Sequence, residues 1–450
     1  MAIENYPRRV QRAVKETLNI AAYRGRKGLS SPLYANALYL MANSVASAGL
    51  GFVFWMLAAR LYEAEDIGLC SALVSAAMFL SFIGTLGLDY GLIRFIPISK
   101  GRLGALINSS LTLSGLASVV LVLIFLVGLR LWSPALLFVR EHSLFLLSFI
   151  GFVVIVALSY QVDAVFIGRR RGGLVLTRGL IFSLGKLVAV IGLAMSSRAF
   201  GVFGIFTSWS LSLAVAFVLS LFVFLRRVCP GYRPAPALGP QIMKEMLPFS
   251  LANYVGEGFW RSSSWLLPLM VVHVLGAETT AHFYIVWSMA GLLSAISQAT
   301  SLSLLAEGSH REDRVHEEFN RSLRLVAILL LPAMAFIFVA GNPLLLLFGR
   351  QYSDAGTHLL WVLIPAAVPT SFNFLCLGVA RVQRRTKEIT LVTGSVTLGT
   401  LALSYALLPR LGIVGAGVAW LASQTGVALV LVAVGLKSFL PAKAVVSRTA

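Results

Sequence analysis

MLPFSLANYVGEGFWRSSSWLLPLMVVHVLG, residues 246–276, is long and apolar enough to cross a bilayer, yet Glu257 and Arg261 stand near its middle, one helical turn apart. A spanning helix needs about 20 apolar residues. An ionisable side chain at the bilayer centre costs roughly 2.5–3.5 kcal/mol even on lenient scales, so such groups mark functional surfaces by default. At a rise of about 1.5 Å per residue, Arg261 lies roughly 20 Å above Pro248, near mid-bilayer. Glu257 precedes it by four residues, the favourable order for an acid–base pair on one helix face. Gly256, Gly258, Pro248 and Pro268 make the helix easy to bend, and Ser262, Ser263 and Ser264 continue its polar surface.

The rest of the chain repeats that apolar character. Of its 450 residues, 58% are hydrophobic and only 12% charged, with mean hydropathy +0.85. A soluble domain carries about twice that charged fraction, so the chain reads as an all-α polytopic membrane protein. Twelve spans are expected, at 33–59, 67–95, 106–129, 144–160, 179–195 and 201–225, then 247–275, 279–305, 325–341, 356–380, 389–408 and 412–435. The corresponding divisions are a basic N-terminal segment 1–30, a first lobe 31–225, a linker 226–245, a second lobe 246–436 and a tail 437–450.

Charge tests the count. The net charge of +19 suggests nucleic acid until the positions are read. Twenty-nine of the 37 Lys and Arg fall on the side of the two termini; six (Arg60, Arg130, Arg140, Arg198, Arg350, Arg410) fall opposite, and Lys186 and Arg261 lie within spans. That bias is the positive-inside signature of a cell-membrane protein with both termini cytoplasmic, and an odd span number would destroy it. No nucleic acid is implied, and no cleaved signal peptide is expected. Residues 7–27 form a basic amphipathic segment that suits either an anionic lipid surface or a solvated tail.

An internal repeat organises the spans. Leu136-Leu137-Phe138-Val139-Arg140-Glu141-His142-Ser143 before span four matches Leu346-Leu347-Phe348-Gly349-Arg350-Gln351-Tyr352-Ser353 before span ten at five of eight positions. Ala64-Glu65 and Ala277-Glu278 echo one another before spans two and eight. Six spans per half is even, so the halves are parallel repeats with any solute site at their interface. The Pro- and Arg-rich 226–240 joins them.

Enzyme classes find little support. There is no phosphate loop, no His pair at metal-ligand spacing, and Asp89, Asp163 and Glu257 are dispersed. Cys70, Cys229 and Cys376 have no paired spacing, so neither a disulfide framework nor a metal site is expected. The candidate residues are intramembrane polar groups. Arg261 suits a phosphate because its planar fork donates to two oxygens at once, with Glu257 tuning or competing for it; a buried pair that locks two helices is the bland alternative. Lys186, about 10 Å into the fifth span, either binds an anion or snorkels to the interface. Asp89 with Arg94, Asn36 with Asn43, Gln298 and Asn373 either line a cavity or gate, or glue helices.

Several junctions are similar to those of the polysaccharide-transport flippases, the O-antigen and oligosaccharide exporters of the MATE-like superfamily. They are Ala59-Arg60-Leu61-Tyr62-Glu63-Ala64-Glu65-Asp66-Ile67-Gly68, Gly87-Leu88-Asp89-Tyr90-Gly91-Leu92-Ile93-Arg94-Phe95, Leu267-Pro268, Leu275-Gly276, Phe283-Tyr284 and Leu347-Phe348-Gly349-Arg350-Gln351-Tyr352. The resemblance implies two six-helix lobes rocking around a central cationic cavity. It implies movement of a polyprenyl-phosphate- or diphosphate-linked oligosaccharide from the cytoplasmic to the outer leaflet, with no cofactor, coupling to Na+ or H+, and glycan-assembly enzymes as partners. A cation-coupled drug antiporter with Glu257 as coupling carboxylate is the alternative within the superfamily. A non-transporting scaffold for glycan assembly is a further reading. A major facilitator fold fits less well, since Ile98-Ser99-Lys100-Gly101-Arg102 lacks the loop expected after its second span.

Overall fold

The computed structural model describes residues 32–99, 101–196, 200–310, 315–383 and 385–439; the basic amphipathic segment expected at 7–27 lies outside them. The described chain is helical throughout. Twelve long helices follow one another: α1 Pro32–Leu61, α2 Ala64–Gly84, α3 Leu103–Val127, α4 Ser143–Gly168, α5 Gly172–Ser196, α6 Gly201–Leu219, α7 Pro240–Leu275, α8 Ala277–His310, α9 Val315–Leu346, α10 Arg350–Val382, α11 Thr386–Leu411 and α12 Ile413–Phe439. Eleven are long and apolar enough to cross a membrane. The exception is α7, whose apolar content is diluted by Glu257, Arg261 and the three serines.

Both halves use one packing scheme. In the first lobe α1 packs on α5, α5 on α6, α4 on α2, α3 and α6, and α2 on α3. In the second, the same pairs recur six helices later: α7 on α11, α11 on α12, α10 on α8, α9 and α12, and α8 on α9. The expected two-lobe parallel repeat is therefore present in the packing itself.

The lobes meet along α2, which lies against both α7 and α8, whereas the related pair α1 and α8 touches sparsely. The α2 seam needs glycines. A Cβ on Gly68 would sit 1.7 Å from the Ala277 carbonyl oxygen. Beyond α2, the short helix Leu88–Phe95 presents Gly87 and Gly91 to α7, where Cβ atoms would lie 2.7 Å from the Ser250 carbonyl and 2.6 Å from the Ser250 hydroxyl. Gly87 also has φ +69°, which an L side chain adopts only with strain. The Gly87-Leu88-Asp89-Tyr90-Gly91 segment is thus a small-xxx-small contact between lobes.

Two ends of the bundle differ. At the Arg-poor end, Arg60 of α1 donates from Nε to the Leu347 carbonyl and from Nη2 to the Leu346 carbonyl, each at 2.7 Å. Phe52 packs on Phe348 with ring centroids 5.0 Å apart, and Trp55 on Tyr284 at 4.9 Å. The repeated Leu-Leu-Phe segment before α10 is therefore an inter-lobe clasp. Further down, Ala48, Gly49 and Phe52 of α1 face Met289 and Leu293 of α8 across an apolar groove of about 440 Å³. The lobes are joined at the Arg-poor end, and a groove separates α1 from α8 at mid-helix.

The linker is strapped, not free. Helix α6 continues through a π turn, Ser220–Phe224, to Val228. The following segment runs along α3, where Tyr232 donates to Asn108 Oδ1 (2.6 Å), Asn108 Nδ2 to the Arg233 carbonyl (3.1 Å), and Gly239 N to Ser109 Oγ (2.9 Å). Extended backbone against a protein surface needs such partners. Burial, reinforced by Cys229, raises the Tyr232 phenol to about 12, so it remains a donor.

Candidate anion-binding site

One face of α7 carries Glu257, Trp260, Arg261 and Ser264, spaced i, i+3, i+4 and i+7. Arg261 lies about 20 Å from Pro248 and about 21 Å from Leu275, at the middle of that stretch of helix. Its neighbours hold the helix in place. Ser263 donates to Thr397 Oγ1 of α11 at 2.9 Å, Thr397 in turn to the Phe259 carbonyl, and Tyr254 to the Phe82 carbonyl at 2.9 Å. The three serines therefore differ in role: Ser263 joins helices, Ser262 bonds back to the Gly258 carbonyl, and Ser264 faces a cavity.

Arg261 Nε donates to Glu257 Oε1 at 2.8 Å. The pair is half-buried, with side-chain exposures of 38% and 24%. Its second partner was not foreseen: Arg381 Nη2 lies 3.9 Å from Glu257 Oε2. One carboxylate thus sits between two guanidiniums. All three line a cavity of about 650 Å³ with Tyr90, Gln298 and Thr393. Arg261 also stands over the rings of Phe82 and Trp265, each 5.7 Å from its Cζ, which adds cation–π attraction from both lobes. Asp89 lies within electrostatic range of Arg261 and Glu257 but outside the cavity lining, half-buried with Oδ1 unpartnered.

The other expected residues go elsewhere. Lys186 is 3% exposed, its Nζ 4.2 Å from the Trp209 ring centroid and 5.0 Å from those of Phe54 and Phe182. Helix α5 starts at Gly172, not 179, so Lys186 is about 21 Å along it and has no interface to snorkel to. Asn36 Oδ1 accepts from Gly172 N at 2.6 Å, and Asn43 packs against Gly179, both gluing α1 to α5. Asn373 is buried and donates to Gln424 Oε1 at 2.7 Å. Arg94 is exposed beside Phe95. Of the expected set, only Glu257, Arg261 and Gln298 share the cavity. Asp163, one of the dispersed acids, pairs with Arg178, whose Nε donates to Oδ1 at 2.7 Å, in a bridge 14% exposed on both sides.

Arg381 escaped because span ten was ended at Ala380, one residue short. The signal was available: Leu363, Ala367, Thr370, Phe374, Leu377 and Arg381 keep one helical face to the end of α10. No group of three or more His, Cys, Asp or Glu that could hold a metal occurs among the described residues.

Residues 255–406, from within α7 to within α11, match the MatE family model. No curated protein matches the chain. Among solved structures, the Lipid II flippase MurJ in an inward closed conformation superposes with TM-score 0.70 at 14% identity, over 88% of this chain and 87% of that one. An inward-facing multidrug resistance MATE family transporter of the MOP superfamily gives 0.64 at 16%, over 85% and 92%. The MATE multidrug transporter DinF-BH gives 0.63 at 13%, over 90% and 95%. The chain is a multi-pass membrane protein with the two-lobe fold that these transporters and this flippase share, and its second lobe carries the MatE signature.

Proposed function

We propose that this protein is a flippase for a polyprenyl-phosphate- or diphosphate-linked oligosaccharide. In this reading the basic end is cytoplasmic, by the positive-inside rule, and the protein works in the cell membrane. The observation that carries it is the cavity where Arg261 and Arg381 share Glu257, which leaves more positive than negative charge on its lining. Two guanidiniums held apart by one carboxylate suit an anionic group that displaces it, and paired forks suit phosphate oxygens. A cavity whose lining runs to Arg381 and Thr386 at the basic end, with the opposite end clasped, suits loading from the cytoplasmic leaflet. Rocking of the lobes about α2 then exposes the site to the other leaflet, driven by a Na+ or H+ gradient, and enzymes of glycan assembly supply the substrate.

The test is reconstitution in proteoliposomes with a polyprenyl-diphosphate-linked oligosaccharide, scoring access of glycan to an external hydrolase. Arg261→Ala is expected to reduce flipping at least tenfold with unchanged insertion; full activity of that variant sinks the reading. A cation-coupled drug antiporter is the second reading. Glu257 and Trp260 in one cavity, with two more tryptophans beyond it, favour it, and DinF-BH, of the same fold, is a multidrug transporter. Gradient-driven efflux of an organic cation, unaffected by lipid-linked glycan, would support it instead.

A further inference from the structure

The cavity does not end at its charges. Trp260 and Gln298 line a further chamber of about 110 Å³, walled also by Ser264, Trp287, Ser294 and Trp420. Ser264 lies one turn beyond Arg261 toward the Arg-poor end, so the chamber is the deeper of the two. On α8, Trp287, Ser294 and Gln298 share a face, and α12 supplies Trp420. The three indoles meet edge to face: Trp260 and Trp287 stand 5.7 and 5.2 Å from Trp420, with rings inclined at 62° and 77°.

Two properties set this chamber apart from ordinary core. Aromatic cores close around aliphatic side chains, whereas here hydroxyls and an amide border the indoles and space remains. Apart from Thr370, which bonds back to the Ala366 carbonyl, those polar groups are also uncommitted. Serines in these helices commonly bond back to the carbonyl four residues earlier, as Ser262 does, but the side chains of Ser264, Ser294 and Gln298 make no hydrogen bond among the described residues.

We propose that this chamber binds a pyranosyl ring, the sugar linked next to the substrate's anionic group. A pyranose has C–H-rich faces and a hydroxyl-bearing edge. The negative face of an indole attracts the slightly positive C–H bonds, and the uncommitted hydroxyls and amide meet the edge, the usual division in a small-ligand site. Trp260 adjoins Arg261 in sequence and borders both chambers, so one molecule reaches both. The inference rests on the reading of Arg261 and Arg381 as a headgroup site.

Purified protein in nanodiscs is titrated with two probes, polyprenyl diphosphate alone and polyprenyl diphosphate carrying one N-acetylhexosamine. The sugar is expected to tighten binding by about tenfold, the upper range for an aromatic contact. Trp287→Ala and Trp420→Ala are expected to remove that increment and leave the bare lipid's affinity unchanged. Arg261→Ala is expected to weaken both probes alike. Because loss of an indole can loosen the helix packing, Ser294→Ala, which removes only the hydroxyl, provides a second check, expected to lower the increment at least twofold. Equal binding of both probes, still weakened by Arg261→Ala, overturns the sugar chamber and leaves the headgroup site standing. Retention of the increment in the Trp variants or in Ser294→Ala also overturns it. Failure of both probes to bind removes both proposals.

Discussion

Glu257 competes with any anion for the two arginines, and its removal gives a signed prediction. Glu257→Gln keeps the shape and one hydrogen-bond acceptor for Arg261 but deletes the negative charge. Two unit charges 4 Å apart interact by about 4 kcal/mol at an effective dielectric of 20. The Arg261–Glu257 contact is 2.8 Å and the Arg381–Glu257 contact 3.9 Å, but the groups are between about a quarter and two-fifths exposed. Solvent screening at that exposure reduces each pair to about 1 kcal/mol. Releasing both guanidiniums therefore makes about 2 kcal/mol available to an incoming diphosphate, roughly a thirtyfold gain in affinity. Titration of polyprenyl diphosphate into nanodisc-embedded protein measures it, at low and high salt because the gain must shrink as ions screen it. Turnover in proteoliposomes is expected to fall, since release slows. If Glu257→Gln weakens binding as much as Arg261→Ala does, Glu257 supports the site's shape instead of competing for it, and the reasoning fails.

Three further outcomes follow from the packing. Arg60→Ala removes two charge-assisted bonds across the Arg-poor end and is expected to shift the lobes toward opening there by about tenfold; spin-label distances between Glu63 and Gln351 read this, and an unchanged distribution argues against a clasp. Asp163→Asn is expected to lower thermal stability by about 3–5 kcal/mol, because it leaves Arg178 charged and buried, while the double change to Leu at both positions recovers most of it; equal loss in single and double variants would contradict this. Lys186→Met fills the same aromatic cage without a charge and is expected to raise the melting temperature, since desolvation of an ammonium with no ion-pair partner among the described residues outweighs three cation–π contacts; a lower melting temperature would reverse that ranking.

Much of the architecture was legible because a membrane restricts the menu to helices whose lengths follow the bilayer. The Leu-Leu-Phe repeat and the alternating charge of the loops gave the lobes and their order. What stayed hidden depended on helix ends and on packing. Arg178 looks like loop charge, and with Gly172 and Gly173 nearby it delayed the start of span five; neutralised by Asp163, it is part of α5, and this moved Lys186 to mid-depth. Arg381 was hidden by a one-residue error at the other end of a span. The tryptophan chamber has no sequence signature, since Trp260, Trp287 and Trp420 come from three helices and meet only after the second lobe folds. Asn36 and Asn43 were ambiguous for a physical reason: a buried amide serves equally well against a ligand or against a neighbouring backbone.

The repeat also says which features were added for use. Aligning Ala64-Glu65 with Ala277-Glu278 sets Asn43 of α1 against Gly256 of α7, Ser44 against Glu257, and Ala48 against Arg261. The Leu-Leu-Phe alignment sets Asp163 of α4 against Asn373 of α10. In the first lobe Asp163 faces Arg178 in a closed bridge and Lys186 is sealed among aromatic rings. In the second lobe the position matching Asp163 is a neutral amide, Asn373, bonded to Gln424, and the charges stand on the cavity wall. A scaffold duplicated for packing alone has no reason to transfer charge from a closed bridge to an open chamber. Ionisable groups at that depth still cost free energy unless something compensates them, and under the proposed flippase reading the compensation for Arg261 and Arg381 is the substrate's anionic group.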